Sequence, residues 1–184
     1  MWSSCPVKVY VFSLLIYFNN HVLNKIPSRR LRLFWYRRVM RFSIARGSFV
    51  HLGVTFDTWK NFSMGSGSVI NAGCRVDNRA LITIGASVSI SQNVTLLTGD
   101  HDLFDVAFAG RTRPINIRDH VFIGTSAIVL PGITLSAASA VAAGSLVAKD
   151  VPAGQIVGGV PAKPISGLRP SGLNYDASYG PLFQ

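Results

Sequence analysis

The sequence predicts an all-β solenoid, a three-sided parallel coil of about five turns with a helical segment ahead of it. From Ile117 the chain reads "IRDHVF IGTSAI VLPGIT LSAASA VAAGSL VAKDVP", six consecutive hexads that each open with Ile, Val or Leu. Their fifth positions, Val121, Ala127, Ile133, Ser139, Ser145 and Val151, are all small or β-branched. The same frame recurs upstream in "IARGSF VHLGVT" from Ile44, "MGSGSV INAGCR" from Met64 and "IGASVS ISQNVT" from Ile84, and it has one long interruption: after Leu96 the next start in register is Ile117. A helix repeats at about 3.6 residues and a half-buried strand at 2, so a period of six requires another geometry. Each hexad supplies a short flat strand and a corner, with the aliphatic first residue on the axis and the small fifth residue inside. Three hexads close a turn, and turns stack at about 4.8 Å.

Residues 1–43 are expected to form a basic, helical segment that caps the solenoid. Through residue 56 the chain has nine Lys and Arg and no acid, whereas the remainder has nine Lys and Arg against eight Asp. The net charge of +10 therefore belongs to the N-terminus. The apolar run "VYVFSLLIYF" at 9–18 is about half the roughly 20 residues that span a bilayer, and it lacks the basic flank and cleavage site of a signal peptide. In "IPSRRLRLFWYRRVMRF" Ser28 is placed to cap a helix on which Arg30, Arg37 and Arg41 share one side and Leu31, Trp35, Val39 and Phe42 the other, with Arg32 and Phe34 departing from the pattern. Such a helix suits the open end of a coil stack, and residues 25–46 suit contact with an anionic leaflet. Nucleic acid is not expected as a partner, because no aromatic platform or groove motif accompanies the charge. Cys5 and Cys74 are too few and too far apart for a disulfide framework or a zinc motif, so a cytoplasmic protein is expected, peripheral to the inner face of the membrane.

The solenoid is assigned to 44–166, with turns at 44–63, 64–83, 84–101, 117–134 and 135–152, and with an extruded loop at 97–116. About 15 residues leave the frame there, and loops that interrupt a rigid repeat carry function. This one holds "TGDHDLFDVAFAGRTRP", in which His101 is the only group that exchanges a proton near pH 7. The residues alone leave His101 balanced between a base and an exposed turn residue. Of the other histidines, His51 is expected to point outward beside Val50, His120 to occupy a corner, and His21 to lie in the N-terminal segment. The tail, 167–184, is rich in Gly, Pro and Ser and is expected to be irregular.

Repeat, interruption and the closing stretch "VPAGQIVGGVPAKPI" together resemble the left-handed parallel β-helix of the hexapeptide-repeat acyltransferases, in particular the galactoside and maltose O-acetyltransferase branch and its exopolysaccharide (colanic-acid type) relatives. The resemblance covers roughly 44–166. It implies an enzyme that transfers an acetyl group from acetyl-coenzyme A to a sugar hydroxyl of an exopolysaccharide or its precursor, without a metal, as a homotrimer. His101 matches the family's catalytic base, with Asp102 or Asp105 as its orienting partner, and Asn71, 30 residues earlier, matches a substrate-contacting Asn. Thr125 and Ala143 match backbone contacts to the pantetheine arm of coenzyme A, and Lys149 and Lys163 match basic positions near its nucleotide. Phe122 stands where the family often has Trp, and Ala148 where it often has Thr. Outward apolar residues such as Phe122, Ile128 and Leu130 call for cover by neighbouring subunits. The competing readings are a serine-acetyltransferase-like enzyme, for which the long helical N-terminal domain is missing, and a trimeric scaffold without chemistry. A γ-class carbonic anhydrase is excluded, since no second histidine follows His101 within a dozen residues.

Overall fold

The computed structural model describes residues 6–165 and 167–177; Cys5 and residues 178–184 of the tail lie outside them. The repeat folds as expected into a parallel β-solenoid with three faces. The first face stacks Ser43–Ile44, Phe62–Met64, Ile82–Ile84, Ile115–Ile117 and Thr134–Leu135. The second stacks Phe49–Val50, Val69–Ile70, Ser89–Ile90, Phe122–Ile123, Ala140–Val141 and Ile156–Gly158, with Lys163–Pro164 antiparallel on its end. The third stacks Thr55–Phe56, Arg75–Asp77, Thr95–Leu97, Ile128–Val129 and Leu146–Val147. There are five complete turns and a sixth begun by the pairing of Val151 with Leu135, slightly more than the five expected.

Each hexad start lies inside. Ile70, Val76, Ile90, Leu96, Ile123, Val129, Val141 and Val147 are at most 1% exposed, and the fifth positions from Val121 to Val151 are buried as well. The turn length is not uniform: Ile44, Met64, Ile84, Ile117 and Leu135 are successive register partners on the first face, 20, 20, 33 and 18 residues apart. The 20-residue turns carry two extra residues on that face, so that Phe62 with Met64, Ile82 with Ile84 and Ile115 with Ile117 all point inward. Turns approach closely at the corners between the first and second faces. A Cβ on Gly65 would lie 2.6 Å from the Gly85 carbonyl, which leaves no room for a side chain there.

The N-terminal segment forms α1 (Pro6–His21), a 3₁₀ turn (Leu23–Lys25) and α2 (Arg29–Arg38). Ser28 caps α2, its Oγ accepting from the Leu31 N–H at 3.4 Å. The buried side of α2 is only in part the one its hydrophobic spacing suggests: Phe42 is buried and Trp35 packs against the core, but the deepest side chains are others. Arg32, Tyr36 and Met40 are at most 1% exposed, while Leu31 is 46% exposed. Tyr36 and Phe42 join Phe56 and Phe62 in an aromatic plug over the first turn. Arg32 donates to the carbonyls of Ile26 and Val50. A solenoid end leaves backbone acceptors without a next turn, and a guanidinium with five donors serves them better than a leucine. The same cover buries His51, expected on the surface, to 4% exposure.

The tail through Ala177 has no regular structure, yet it is docked along the corners between the first and second faces. The Arg169 guanidinium donates to the carbonyls of His120 (2.8 Å), Ala138 (3.3 Å) and Ser139 (3.4 Å) and to the Tyr175 hydroxyl (3.1 Å), which itself donates to the His120 carbonyl. Farther along, Ala177 N–H donates to the Gly67 carbonyl. His120 is thus half-buried, edge-on to Tyr175 at 5.2 Å. Charge-assisted hydrogen bonds contribute about 1.5–3 kcal/mol, so Arg169→Ala should lower the apparent melting temperature by about 4–8 °C in a thermal-unfolding experiment. An unchanged transition would mean that the strap contributes nothing to stability.

Candidate functional site

The three prism edges have different contents. The edge between the first and second faces holds the chain's own tail. The edge between the second and third faces carries Asn71, Thr125 and Ala143, and the edge between the third and first faces carries the extruded loop and Lys149.

The loop is a hairpin. Gly99–His101 pairs antiparallel with Gly110–Thr112, with His101 opposite Gly110, while Leu97 and Ile115–Ile117 are strand residues of the coil. The exposed His101 ring stacks on Phe108, with centroids 4.3 Å apart and planes 6° from parallel. Its Nδ1 lies 2.8 Å from the Phe108 carbonyl. A carbonyl only accepts, so this contact makes Nδ1 the donor and leaves Nε2 as the unprotonated nitrogen of the neutral ring. That is the arrangement a general base needs: one nitrogen held, the other free to take a proton.

The aspartates organise the hairpin around this ring. Asp102 accepts from the Phe104 N–H at 3.0 Å and pairs with Arg111 at 3.3 Å; Asp105 accepts from the Ala107 N–H at 2.9 Å, and its carbonyl receives the Phe108 N–H at 2.8 Å. Asp100 receives Arg111 Nε at 2.6 Å and Arg113 at 3.0 Å, and the hydrogen bond from Arg111 holds its carboxyl below the usual range despite some desolvation. The aspartate that secures the base of the hairpin is one the sequence reading passed over. Asp77 is fully buried and accepts from both Nε and Nη2 of Arg79 at 2.8 Å, from the Thr98 N–H at 3.2 Å and from the Gly99 N–H at 3.1 Å. Burial pushes its pKa up, but the Arg79 side chain, the Arg79 N–H and charge, and the Gly99 N–H outweigh burial and hold it below the ordinary carboxylate value. The neighbouring Asn78, also buried, bonds Asp57, Thr58 and Lys60 of the turn below. The signal was a polar Asp-Asn-Arg run directly after the inward Val76. Beside the hairpin stalk is a concavity of about 530 Å³ whose lining includes Trp59, Lys60, Asn61, Arg79 and Thr112.

On the next edge, Ile70, Ile90, Ile123 and Val141 are in register, which stacks Thr125 beneath Ala143. The Thr125 carbonyl accepts from Gly144 N–H at 2.8 Å; both Thr125 and Ala143 are exposed. A Cβ on Gly124 would stand 2.5 Å from the Ala143 nitrogen, so the tight stacking here depends on glycine. Phe122 (39% exposed) and Ile128 (37%) flank this edge, whereas Leu130, expected outward, is half-buried against the core. An exposed backbone edge between two apolar side chains suits an amide-bearing arm ending in a thiol or thioester, such as pantetheine. Asn71 lies on the same edge two turns earlier, its Nδ2 donating to the Ile90 carbonyl at 2.8 Å. Lys149 and Lys163 are exposed, Lys149 on the hairpin edge and Lys163 in the antiparallel strand opposite Gly158. Asn71, Thr125 and Ala143 are therefore grouped, and His101 is on a different edge of the same chain.

No family model matches the chain. It is 41% identical over 115 residues, 61% of its length, to a Schizosaccharomyces pombe protein named as an acetyltransferase. It is 29% identical over 136 residues, 72% of its length, to the galactoside O-acetyltransferase of Escherichia coli. The matches cover 56% and 67% of those relatives. Among solved structures, a hexapeptide-repeat acetyltransferase of Vibrio cholerae in complex with acetyl-coenzyme A superposes with a TM-score of 0.82 at 26% identity, covering 92% of this chain and 94% of the other.

Proposed function

We infer that this chain, a member of the hexapeptide-repeat acetyltransferase family, transfers acetyl from acetyl-coenzyme A to a sugar hydroxyl of an exopolysaccharide or its precursor, with His101 as base. The observation that supports this best is the His101 ring itself, held at Nδ1 by the Phe108 carbonyl with Nε2 left available. In the step proposed, Nε2 takes the acceptor hydroxyl proton as the oxygen attacks the thioester carbonyl, and a backbone N–H stabilises the oxyanion. The C–S bond then breaks and the thiolate takes the proton from the imidazolium, so free coenzyme A and the acetyl ester leave together. Asp102 and Asp105 act one step out, by holding the hairpin tip that aims the ring. Asn71 contacts the acceptor; Phe122, Thr125 and Ala143 border the pantetheine arm, and Lys149 and Lys163 face the nucleotide phosphates. The concavity beside the stalk, lined by Trp59 and by polar side chains such as Asn61 and Arg79, leaves room for a saccharide on the His101 edge. Free thiol release from acetyl-coenzyme A, measured against a panel of sugar acceptors, tests the reading; release no faster with any sugar than without one would sink it.

Because His101 and the pantetheine contacts at Thr125 and Ala143 stand on different edges, the proposed site closes when one chain's hairpin meets another chain's donor edge. A homotrimer of three-sided prisms achieves this and covers Phe122 and Ile128. Complementation checks it. His101→Ala and Ala143→Trp chains should each be inactive, yet when co-expressed in equal amounts they should recover about a quarter of wild-type activity, because random assembly pairs an intact base with an intact donor edge that often. Two inactive chains that stay inactive together would mean that each site lies within one chain. The basic segment 25–46 brings this cytoplasmic enzyme to the inner, anionic leaflet, where a lipid-linked acceptor would be found.

A further inference from the structure

The helix α1 carries apolar residues on both its buried and its exposed sides. Its buried side combines half-buried Phe12 and Ile16 with two amides: Asn19 is fully buried and donates to Asn20 Oδ1 at 2.8 Å, Asn20 Nδ2 donates to the Phe56 carbonyl at 2.8 Å, and the Phe56 N–H donates to Asn20 Oδ1 at 3.0 Å. These amides satisfy the free edge of the first strand on the third face, a task apolar side chains could not perform. The exposed side of the helix nevertheless holds a further set of large apolar residues beside Ser13 and His21. Tyr10 (75% exposed), Leu14 (67%), Tyr17 (59%) and Phe18 (38%) lie on one side of the helix, continued by Val22 (44%) beyond its end.

A second observation identifies the occupant. Phe18 packs on Trp35 of α2, with ring centroids 5.3 Å apart, so the two helices form one surface. On α2 the exposed Phe34 lies with Arg30, Leu33, Arg37 and Arg38 around a concavity of about 330 Å³. Among the described residues none of these three arginines has an acidic partner, and the first 56 residues contain no Asp or Glu. A protein partner would have to supply an apolar ridge and several carboxylates in register. An anionic lipid leaflet supplies acyl chains, phosphates and a boundary suited to tyrosine without any register. None of the described helices is long and apolar enough to cross a membrane, so the contact is in-plane.

We propose that the N-terminal cap is an in-plane membrane anchor, in which the outward face of α1 enters the headgroup–acyl boundary of an anionic leaflet and Arg30 and Arg38 hold lipid phosphates, while Arg37 is engaged with the Ile44 and Ala45 carbonyls. This deepens, and rests on, the electrostatic contact proposed above for residues 25–46, adding a buried apolar face at residues 10–22. It also orients the molecule. Phe12 of α1 stacks on Trp59 at 4.5 Å, and Trp59 lines the concavity beside the hairpin stalk, so a sugar carried on a lipid would arrive beside that concavity.

The test is co-sedimentation of the full chain with vesicles of mixed phosphatidylglycerol and phosphatidylcholine, and with vesicles of phosphatidylcholine alone, at low and high salt. The wild-type chain should bind the mixed vesicles and retain part of that binding at high salt, since screening removes the phosphate attraction but not apolar insertion. Leu14→Asp should weaken binding about tenfold or more at both salt levels. The Arg30→Gln, Arg38→Gln pair should weaken it about tenfold at low salt and little at high salt. Circular dichroism and thermal unfolding should show all variants folded. Binding abolished by salt and indifferent to Leu14→Asp would overturn insertion and leave only the electrostatic contact; no binding to either vesicle would overturn both. A fall in assembly mass with Leu14→Asp in the absence of vesicles would show that a second copy covers this face, and would also overturn the proposal.

Discussion

Replacing His101 by alanine should lower acetyl transfer by about 10²- to 10⁴-fold, the usual contribution of a positioned base, while the solenoid stays folded. The expectation of intact structure follows from location: His101 is at the exposed end of a hairpin, contributes no hexad start, and contacts Phe108 rather than the core. Donor affinity should change little, because Thr125 and Ala143 stand on another edge. Thiol release with a responsive acceptor, together with calorimetric titration of coenzyme A into both proteins, separates these quantities. Near-wild-type turnover in the mutant would make the stacked imidazole a structural feature of the loop and remove the proposed mechanism.

The second large effect is expected at Asp77, acting through the hairpin and not by touching a reactant. Asp77→Ala removes the acceptor for the Thr98 and Gly99 N–H groups and for Arg79 where the hairpin leaves the coil, a loss of about 1–3 kcal/mol for each buried donor left unpaired. The Arg79 side chain is half exposed, so water compensates part of its own loss. The stalk should loosen, and kcat should fall by about tenfold or more with little change in the KM for acetyl-coenzyme A, because a small misplacement of a base is costly. Asp77→Asn keeps the shape and removes the charge, and should recover part of kcat. It should also alter acid stability. The folded pKa of Asp77 is below the ordinary carboxylate value of about 3.9, so its ionisation stabilises the fold above that value and the contribution is lost as pH falls through the depressed pKa. Unfolding followed from pH 7 to pH 2 should therefore show a shallower acid limb in Asp77→Asn than in the wild type. Identical acid limbs and an unaltered kcat would show that the carboxylate does not position the hairpin.

Much of this molecule is legible as text because a solenoid is nearly one-dimensional. Each hexad start from Ile117 onward points inward because its own strand is short and flat, and stacking repeats that choice every turn. The break between Leu96 and Ile117 marks the hairpin for the same reason: a residue that cannot join the stack must leave it. The departures from expectation occur where the repeat ends. Hydrophobic spacing places Leu31 and Trp35 inward on α2; Trp35 packs against the core, but Leu31 is exposed and Arg32, Tyr36 and Met40 are the most buried, because the terminal turn presents carbonyls that need donors as well as an aromatic core that needs cover. His51 is buried by the same cap, and a Gly- and Pro-rich tail is held by one arginine on three carbonyls.

The sequence alone determined the three-sided coil, its inward residues, the position of the interruption and the Ser28 cap, since each depends on neighbours within one hexad or one helical turn. Only the tertiary structure decided that Asp77 secures the hairpin across 21 and 22 residues of chain, that Phe108 holds the His101 ring, and that His101 and the Thr125–Ala143 stack occupy different corners of the prism. Those relations depend on how many residues each turn contains, and turns of 20, 33 and 18 residues rotate distant side chains onto edges that no fixed period predicts.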